Sequence, residues 1–183
     1  GSVLGVKPAD EYEFRIFASP VGPYFKSGVK PLSLRVSDFD RAAPRGTGHV
    51  KAGLNYAMSL HANVLAHAGG FDENLYLDAA TRTFVEETGG PRRSLAYVAG
   101  RCLGMPVEER RVPFDEVASF AECGLCGTAA VLSPVGKISG AGKEISFASG
   151  WQEDSVLTKL RETLTGIQTG EREAPAGWIF EIG

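Results

Sequence analysis

Apolar and polar positions alternate early in the chain. Tyr12, Phe14 and Ile16 are interleaved with Glu13 and Arg15, the period-two pattern of a strand with one buried face. Pro20-Val-Gly-Pro-Tyr24 supplies turn residues to end it. Leu32, Leu34 and Val36 alternate in the same way and predict a second strand of the same sheet, followed by a polar loop over residues 38–48. The spacing then changes. Ala57, Leu60, Val64 and Ala68 recur at three and four residues, one face of a helix that Gly69-Gly70 would stop. Two short runs, 74–78 and 83–87, flank residues 79–82 and read as a β-hairpin whose second strand ends on Glu86-Glu87. Alternation points one of these carboxylates outward and the other inward.

Beyond Thr88-Gly-Gly-Pro91 the pattern predicts a helix from Arg92 carrying Leu95, Val98 and Ala99, with Pro91 at a first helical position and Gly104 beyond its end. A strand over 105–112 follows, then a short helix N-capped by Asp115 and carrying Val117 and Phe120, with Gly124 closing it. Residues 127–134 read as a strand whose small residues admit a ligand or another backbone, and 137–147 as a glycine-turned hairpin. Val156, Leu157, Leu160, Leu164 and Ile167 trace an amphipathic helix closed by Gly170, and an apolar tail from Trp178 to Ile182 would dock on the body. Helices interspersed with strands and hairpins predict an α/β or α+β domain with a largely antiparallel sheet.

Composition sharpens this picture. The 183 residues, 43% of them hydrophobic, suffice for a substantial core. A net charge of −3 without a dense Lys/Arg stripe argues against nucleic-acid binding. The sequence has no apolar run of membrane length and no charged-then-apolar leader at its start, so no membrane association is expected. Three cysteines, Cys102, Cys123 and Cys126, do not make a secreted disulfide framework and favour a reducing, cytoplasmic setting. Cys123 and Cys126 form a single CxxC, readable as two buried thiols or as a redox pair. Without a second pair or a nearby histidine it does not imply zinc. His61 and His67, six residues apart, lack the spacing of helical metal ligands, and no metal is expected.

The stretch Gly46-Thr-Gly-His-Val-Lys51-Ala-Gly-Leu-Asn-Tyr56 carries the candidate chemistry. A lysine in a compact, partly dry setting loses enough charge to act as an amine nucleophile toward an aldehyde, and Lys51 stands among glycines at the head of a helix. Gly46, Gly48 and Gly53 would let backbone approach a bound group, and Tyr56 sets a phenol just over one helical turn away. The competing reading is an ordinary surface lysine.

Together, Lys51-Ala-Gly-Leu-Asn-Tyr56, Glu86-Glu87-x-Gly-Gly90, Cys126-Gly-Thr-Ala-Ala130 and Gly166-Ile-Gln-x-Gly-x-x-Glu173-Ala-Pro-x-Gly-Trp178 resemble the branched-chain amino acid aminotransferases, fold-type IV pyridoxal-phosphate enzymes. Ala18-Ser-Pro-Val-Gly-Pro-Tyr24 and Asp40-Arg-Ala-Ala-Pro44 match in the same order. The resemblance implies a D-amino acid aminotransferase-like large domain over 1–183, with mostly antiparallel curved sheets and packed helices. It implies pyridoxal 5′-phosphate as cofactor and transamination of leucine, isoleucine or valine with 2-oxoglutarate in a cytoplasmic homodimer. Lys51 would hold the cofactor covalently and act as the proton-transfer base, and Glu87 would keep the pyridinium nitrogen protonated. Tyr56 would bond the ring's phenolic oxygen, Thr128 would help bind the phosphate, Thr128 and Ala129 would meet the substrate carboxylate, and Tyr24 would line the side-chain pocket.

The chain departs from the family pattern in two places. The small N-terminal domain is absent, and Gly90 runs directly into Pro91 where the family has more of its phosphate cup, so a chain break is expected there. The alternatives are a catalytically incomplete scaffold or dimerisation module, and other enzymes of the same fold type, D-amino acid transaminase or aminodeoxychorismate lyase. The regulatory CxxC of some mammalian members follows the Gly-Thr-Ala motif, whereas this one precedes it, so the resemblance gives Cys123 and Cys126 no redox role.

Overall fold

The computed structural model describes residues 4–20, 30–43, 45–88, 103–127, 131–148 and 151–180. Six strands form one mixed sheet: β1 (Leu32–Val36), β2 (Glu73–Leu77), β3 (Val85–Glu87), β4 (Gly124–Gly127), β5 (Val131–Gly140) and β6 (Lys143–Ser146). Their order is β3-β2-β1-β5-β4, with β6 also paired to β5. The α/β class expected from the sequence is the one observed. β1 lies parallel to β2 and β5 at the centre, while β2–β3, β4–β5 and β5–β6 are antiparallel. The parallel centre arises because helix α1 (Gly53–Ala68) carries the chain back between β1 and β2.

Alternation explains the core. Leu32, Leu34 and Val36 bury one face of β1 against Leu75, Leu77, Val135, Ile138 and Ile145, with Phe114 and Val117 of a 3-10 turn (Phe114–Ser119) closing over them. A second cluster joins Leu132 of β5 to Leu160 and Leu164 of helix α2 (Val156–Thr169). Ser155 caps α2 by accepting the Thr158 amide at 3.1 Å, and Gly170 ends it at φ 79°. Gly140, at φ 136°, lets β5 pass close to β1: a Cβ there would lie 2.7 Å from that of Val36.

Several expectations are corrected. Residues 12–16 form no strand: Tyr12, Phe14 and Ile16 are each more than four-fifths exposed and the stretch 4–20 pairs with no described strand. Alternation gives a segment a strand-like face but no partner. Residues 105–112 are irregular; among the described residues their backbone joins the sheet where the Val85 amide bonds Val112, next to the bridge between Phe84 and Pro113, because β3 is too short to template a longer neighbour. Asp115 lies inside the 3-10 turn and Pro113 holds the N-cap. The strand read over 127–134 is the junction of a hairpin, with Gly127 opposite Val131.

α1 ends before Gly69 as expected, but its buried positions are Asn55, Ser59, Ala62 and Ala66. Leu60 and Val64 of the predicted apolar face are exposed, as are Leu54 and Met58. Small residues let the helix lie close on β2, where Asn74 and Tyr76 are fully buried, and that packing outweighs the apolar stripe. In the tail, Trp178 packs on the second cluster while Phe180 is exposed. The helix expected from Arg92 and the break expected between Gly90 and Pro91 lie outside the described residues.

Candidate active site

The site is assembled where three segments meet: the loop after β1, the start of α1 and the end of β3. On β2, Leu75 and Leu77 belong to the core cluster, so Asn74 and Tyr76 face the other side, toward α1. Glu87 lies directly opposite Tyr76 in the ladder and shares that face. Of the two acids at the end of β3, Glu87 therefore turns toward the candidate lysine's helix, as alternation predicted for one of the pair.

Arg41, unassigned by sequence reasoning, is the hub. Its side chain is 6% exposed, and Nε lies 3.2 Å from Oε1 of Glu87, itself 22% exposed. Nη1 donates to the Asn55 carbonyl at 2.6 Å, and Cζ stands 5.0 Å from the centre of the Tyr56 ring. One guanidinium thus joins the acid, the phenol and the first turn of α1. The hairpin tip also fixes the segment that delivers Arg41. Arg82 donates to the Ser37 carbonyl at 2.5 Å and lies 3.7 Å from Asp40. The tip itself is ordered by Asp78, which accepts the amides of Thr81, Thr83 and Phe84. These bonds hold the Asp78 carboxyl far below the usual carboxylate range.

Asn55 builds the turn that carries Lys51. Buried at the helix start, it donates Nδ2 to the carbonyls of Thr47 and Val50, each at 2.7 Å. Lys51 is thereby fixed at the backbone between Val50 and Ala52, the N-cap of α1. The glycines serve this turn: a Cβ on Gly46 or Gly48 would meet Ala43 or Ala42 at about 3 Å, whereas one on Gly53 meets nothing within 4 Å. The close approach expected toward a bound group is, at Gly46 and Gly48, an approach to the side chains of Ala43 and Ala42. The sheltered setting expected for Lys51 is not formed by the described residues, which leave it exposed; Tyr56 and Glu87 are half-buried.

Tyr24, Thr128 and Ala129 lie outside the described residues. Thr128 and Ala129 follow Gly127 of β4, and Val131 resumes at φ 57°. A β-branched residue in that region is strained by about 1–2 kcal/mol. Cys123 is half-buried, its thiol pushed up to about 11 by burial, while Cys126 is exposed. Only the first fits the reading of two buried thiols, and a raised thiol is a poor redox nucleophile.

The donor set suits the ring end of pyridoxal phosphate: a primary amine for its aldehyde, a carboxylate for its nitrogen and a phenol for its hydroxyl oxygen. A buried cation beside Glu87 favours the ionised acid that a pyridinium requires. No helix among the described residues is long and apolar enough to cross a membrane.

Comparison with known proteins bears on the fold and on the relatives of the chain. No family model matches the chain. The branched-chain-amino-acid aminotransferase of Helicobacter pylori (strain J99) is 41% identical over 209 aligned positions, covering 100% of this chain and 61% of that protein. Among solved structures, the Escherichia coli branched-chain amino acid aminotransferase superposes with a TM-score of 0.73 at 24% identity, over 87% of this chain and 59% of the other, which speaks for the fold alone. The branched-chain aminotransferase of the thermophilic archaeon Thermoproteus uzoniensis, solved with norvaline, superposes with a TM-score of 0.65 at 25% identity, over 85% and 56%. The chain thus spans about three fifths of the length of the curated relatives it matches, and along its own whole length it is similar to branched-chain-amino-acid aminotransferases.

Proposed function

We propose that the chain is the cofactor-binding domain of an enzyme that transfers the amino group of leucine, isoleucine or valine to 2-oxoglutarate, with pyridoxal 5′-phosphate as cofactor. The observation that carries this reading is the Arg41 cluster, which joins Glu87 and Tyr56 at the start of the helix that Lys51 precedes. The names of the full-length relatives support the reaction and its substrates.

Bound pyridoxal phosphate supplies an aldehyde and an electron-withdrawing ring. Lys51 Nζ would be the amine that holds the cofactor through its aldehyde carbon and the base that moves the proton of the substrate Cα. Glu87 holds a proton on the ring nitrogen, and Tyr56 donates its hydroxyl toward the ring oxygen. Thr128 binds phosphate, Thr128 and Ala129 meet the substrate carboxylate, and Tyr24 lines the pocket for the aliphatic side chain. The working assembly on this reading is a cytoplasmic homodimer.

The exposure of Lys51 and the three-fifths coverage favour one other reading, a catalytically incomplete scaffold. Equilibrium dialysis of the 183-residue chain with pyridoxal phosphate, followed by an assay with leucine and 2-oxoglutarate, separates the two. Binding with visible absorbance that is lost in Lys51→Ala supports the enzyme. A chain that takes up no cofactor supports the scaffold.

A further inference from the structure

We infer that Arg41 is a positioning residue that keeps Glu87 ionised and aimed, and that it ties this acid to Tyr56 so that the two groups meant for different edges of the cofactor ring move as one unit. The inference rests on the proposed cofactor site but is argued from this chain's own contacts. A guanidinium stays charged at any pH the fold survives, and its planar fork bonds in several directions at once. Here Nη1 donates to the Asn55 carbonyl at 2.6 Å, Cζ stands 5.0 Å from the centre of the Tyr56 ring, and Nε pairs by charge with Glu87 Oε1 at 3.2 Å.

The groups beside Glu87 across the ladder and along the strands do not favour its charge. Across the ladder stands Tyr76, fully buried, its phenol raised by burial and by the negative charge of Glu73, so it stays a neutral neighbour. Glu73, on the same strand as Tyr76, and Glu86, next in sequence to Glu87, are themselves acids. Arg41 is a described cation paired to Glu87. Replacing it withdraws a positive charge from a half-buried acid that has acids and a neutral phenol nearby, a change that favours the protonated form. A protonated Glu87 cannot keep a proton on a ring nitrogen.

The test reads Glu87 directly in the cofactor-free chain. Its carboxyl carbon resonance, assigned by its loss in Glu87→Gln, is titrated in the wild type, Arg41→Gln and Arg41→Ala. Two substitutions are carried so that one folded variant, judged by circular dichroism, remains. The midpoint is expected to move up in whichever variant folds and to return toward the wild-type value in Arg41→Lys. An unchanged midpoint in a folded variant lacking the charge overturns the inference. Dialysis against pyridoxal 5′-phosphate then shows whether the coupling reaches the site, with binding weakened by roughly tenfold or more in Arg41→Gln, the loss of about one charge-assisted contact. A wild-type chain that fails to bind would refute the proposed function, while the Glu87 titration would still decide the role of Arg41.

Discussion

Asn55 shows how one side chain sets the geometry of a candidate nucleophile. Its amide donates to two carbonyls of the turn before Lys51, each of which also accepts a backbone N–H, Thr47 from Val50 and Val50 from Ala52. Asn55→Ala should cost about 1–3 kcal/mol in denaturant unfolding, the net worth of two hydrogen bonds at about 0.5–1.5 kcal/mol each, and should weaken pyridoxal phosphate capture with Lys51 still in place. Unaltered stability would mean that water replaces the amide. At Cys123 the thiol is raised to about 11, so the folded state keeps its proton where an unfolded chain has lost it. Its contribution to stability is therefore intact below about pH 9 and fades as pH rises toward 11. Alkylation at about pH 8 with peptide mapping should label Cys126 well before Cys123, and equal rates would contradict the burial assigned to Cys123. The role of Arg41 was not legible in the sequence. The Asp40-Arg-Ala-Ala-Pro44 segment stood out only as a matching motif, because a loop arginine gives no local sign that its partner is a carboxylate on a strand far along the chain.

Elements whose signal is local were legible. β1, the β2–β3 and β5–β6 hairpins and α2 with its Gly170 terminus follow from alternation, turn residues and helical spacing read in place. Elements that depend on a distant partner were not: residues 12–16 alternate without a described strand beside them, and the described backbone of 105–112 joins the sheet's hydrogen bonds at Val112. α1 was found but its face was inverted, since close approach through Ser59, Ala62 and Ala66 decided which side is buried. Three substitutions test this level. Leu164→Ala, at the contact of α2 with β5, should destabilise by about 2–5 kcal/mol, whereas Leu60→Lys on the open face of α1 should stay within about 0.5 kcal/mol of wild type in the same denaturant titration. A large loss for Leu60→Lys would show that the sequence-based face is the buried one. Gly140→Ala, which must push against Val36 from a positive φ, should lower the melting temperature, and no change would place that crossing elsewhere.

The whole molecule leaves much apolar surface open: Leu54, Met58, Leu60 and Val64 on α1, and Tyr12, Phe14, Ile16 and Phe17 along the early segment. Exposed apolar area on this scale promotes association. Sedimentation should therefore show concentration-dependent self-association that Leu60→Lys combined with Val64→Lys reduces, whereas a strictly monomeric wild type would contradict it. The resemblance was legible in ordered motifs spread along the chain, and the sequence singled out Lys51, Tyr56 and Glu87 as candidates; the Arg41 contacts that join Tyr56 to Glu87 were not legible, because they are tertiary. The central claim is that Lys51 captures an aldehyde cofactor beside an ionised Glu87. Borohydride reduction of the chain with pyridoxal 5′-phosphate, digestion and mass mapping tests it most directly: the account predicts one stoichiometric adduct on Lys51, and adducts scattered over the surface lysines, or none, would contradict it.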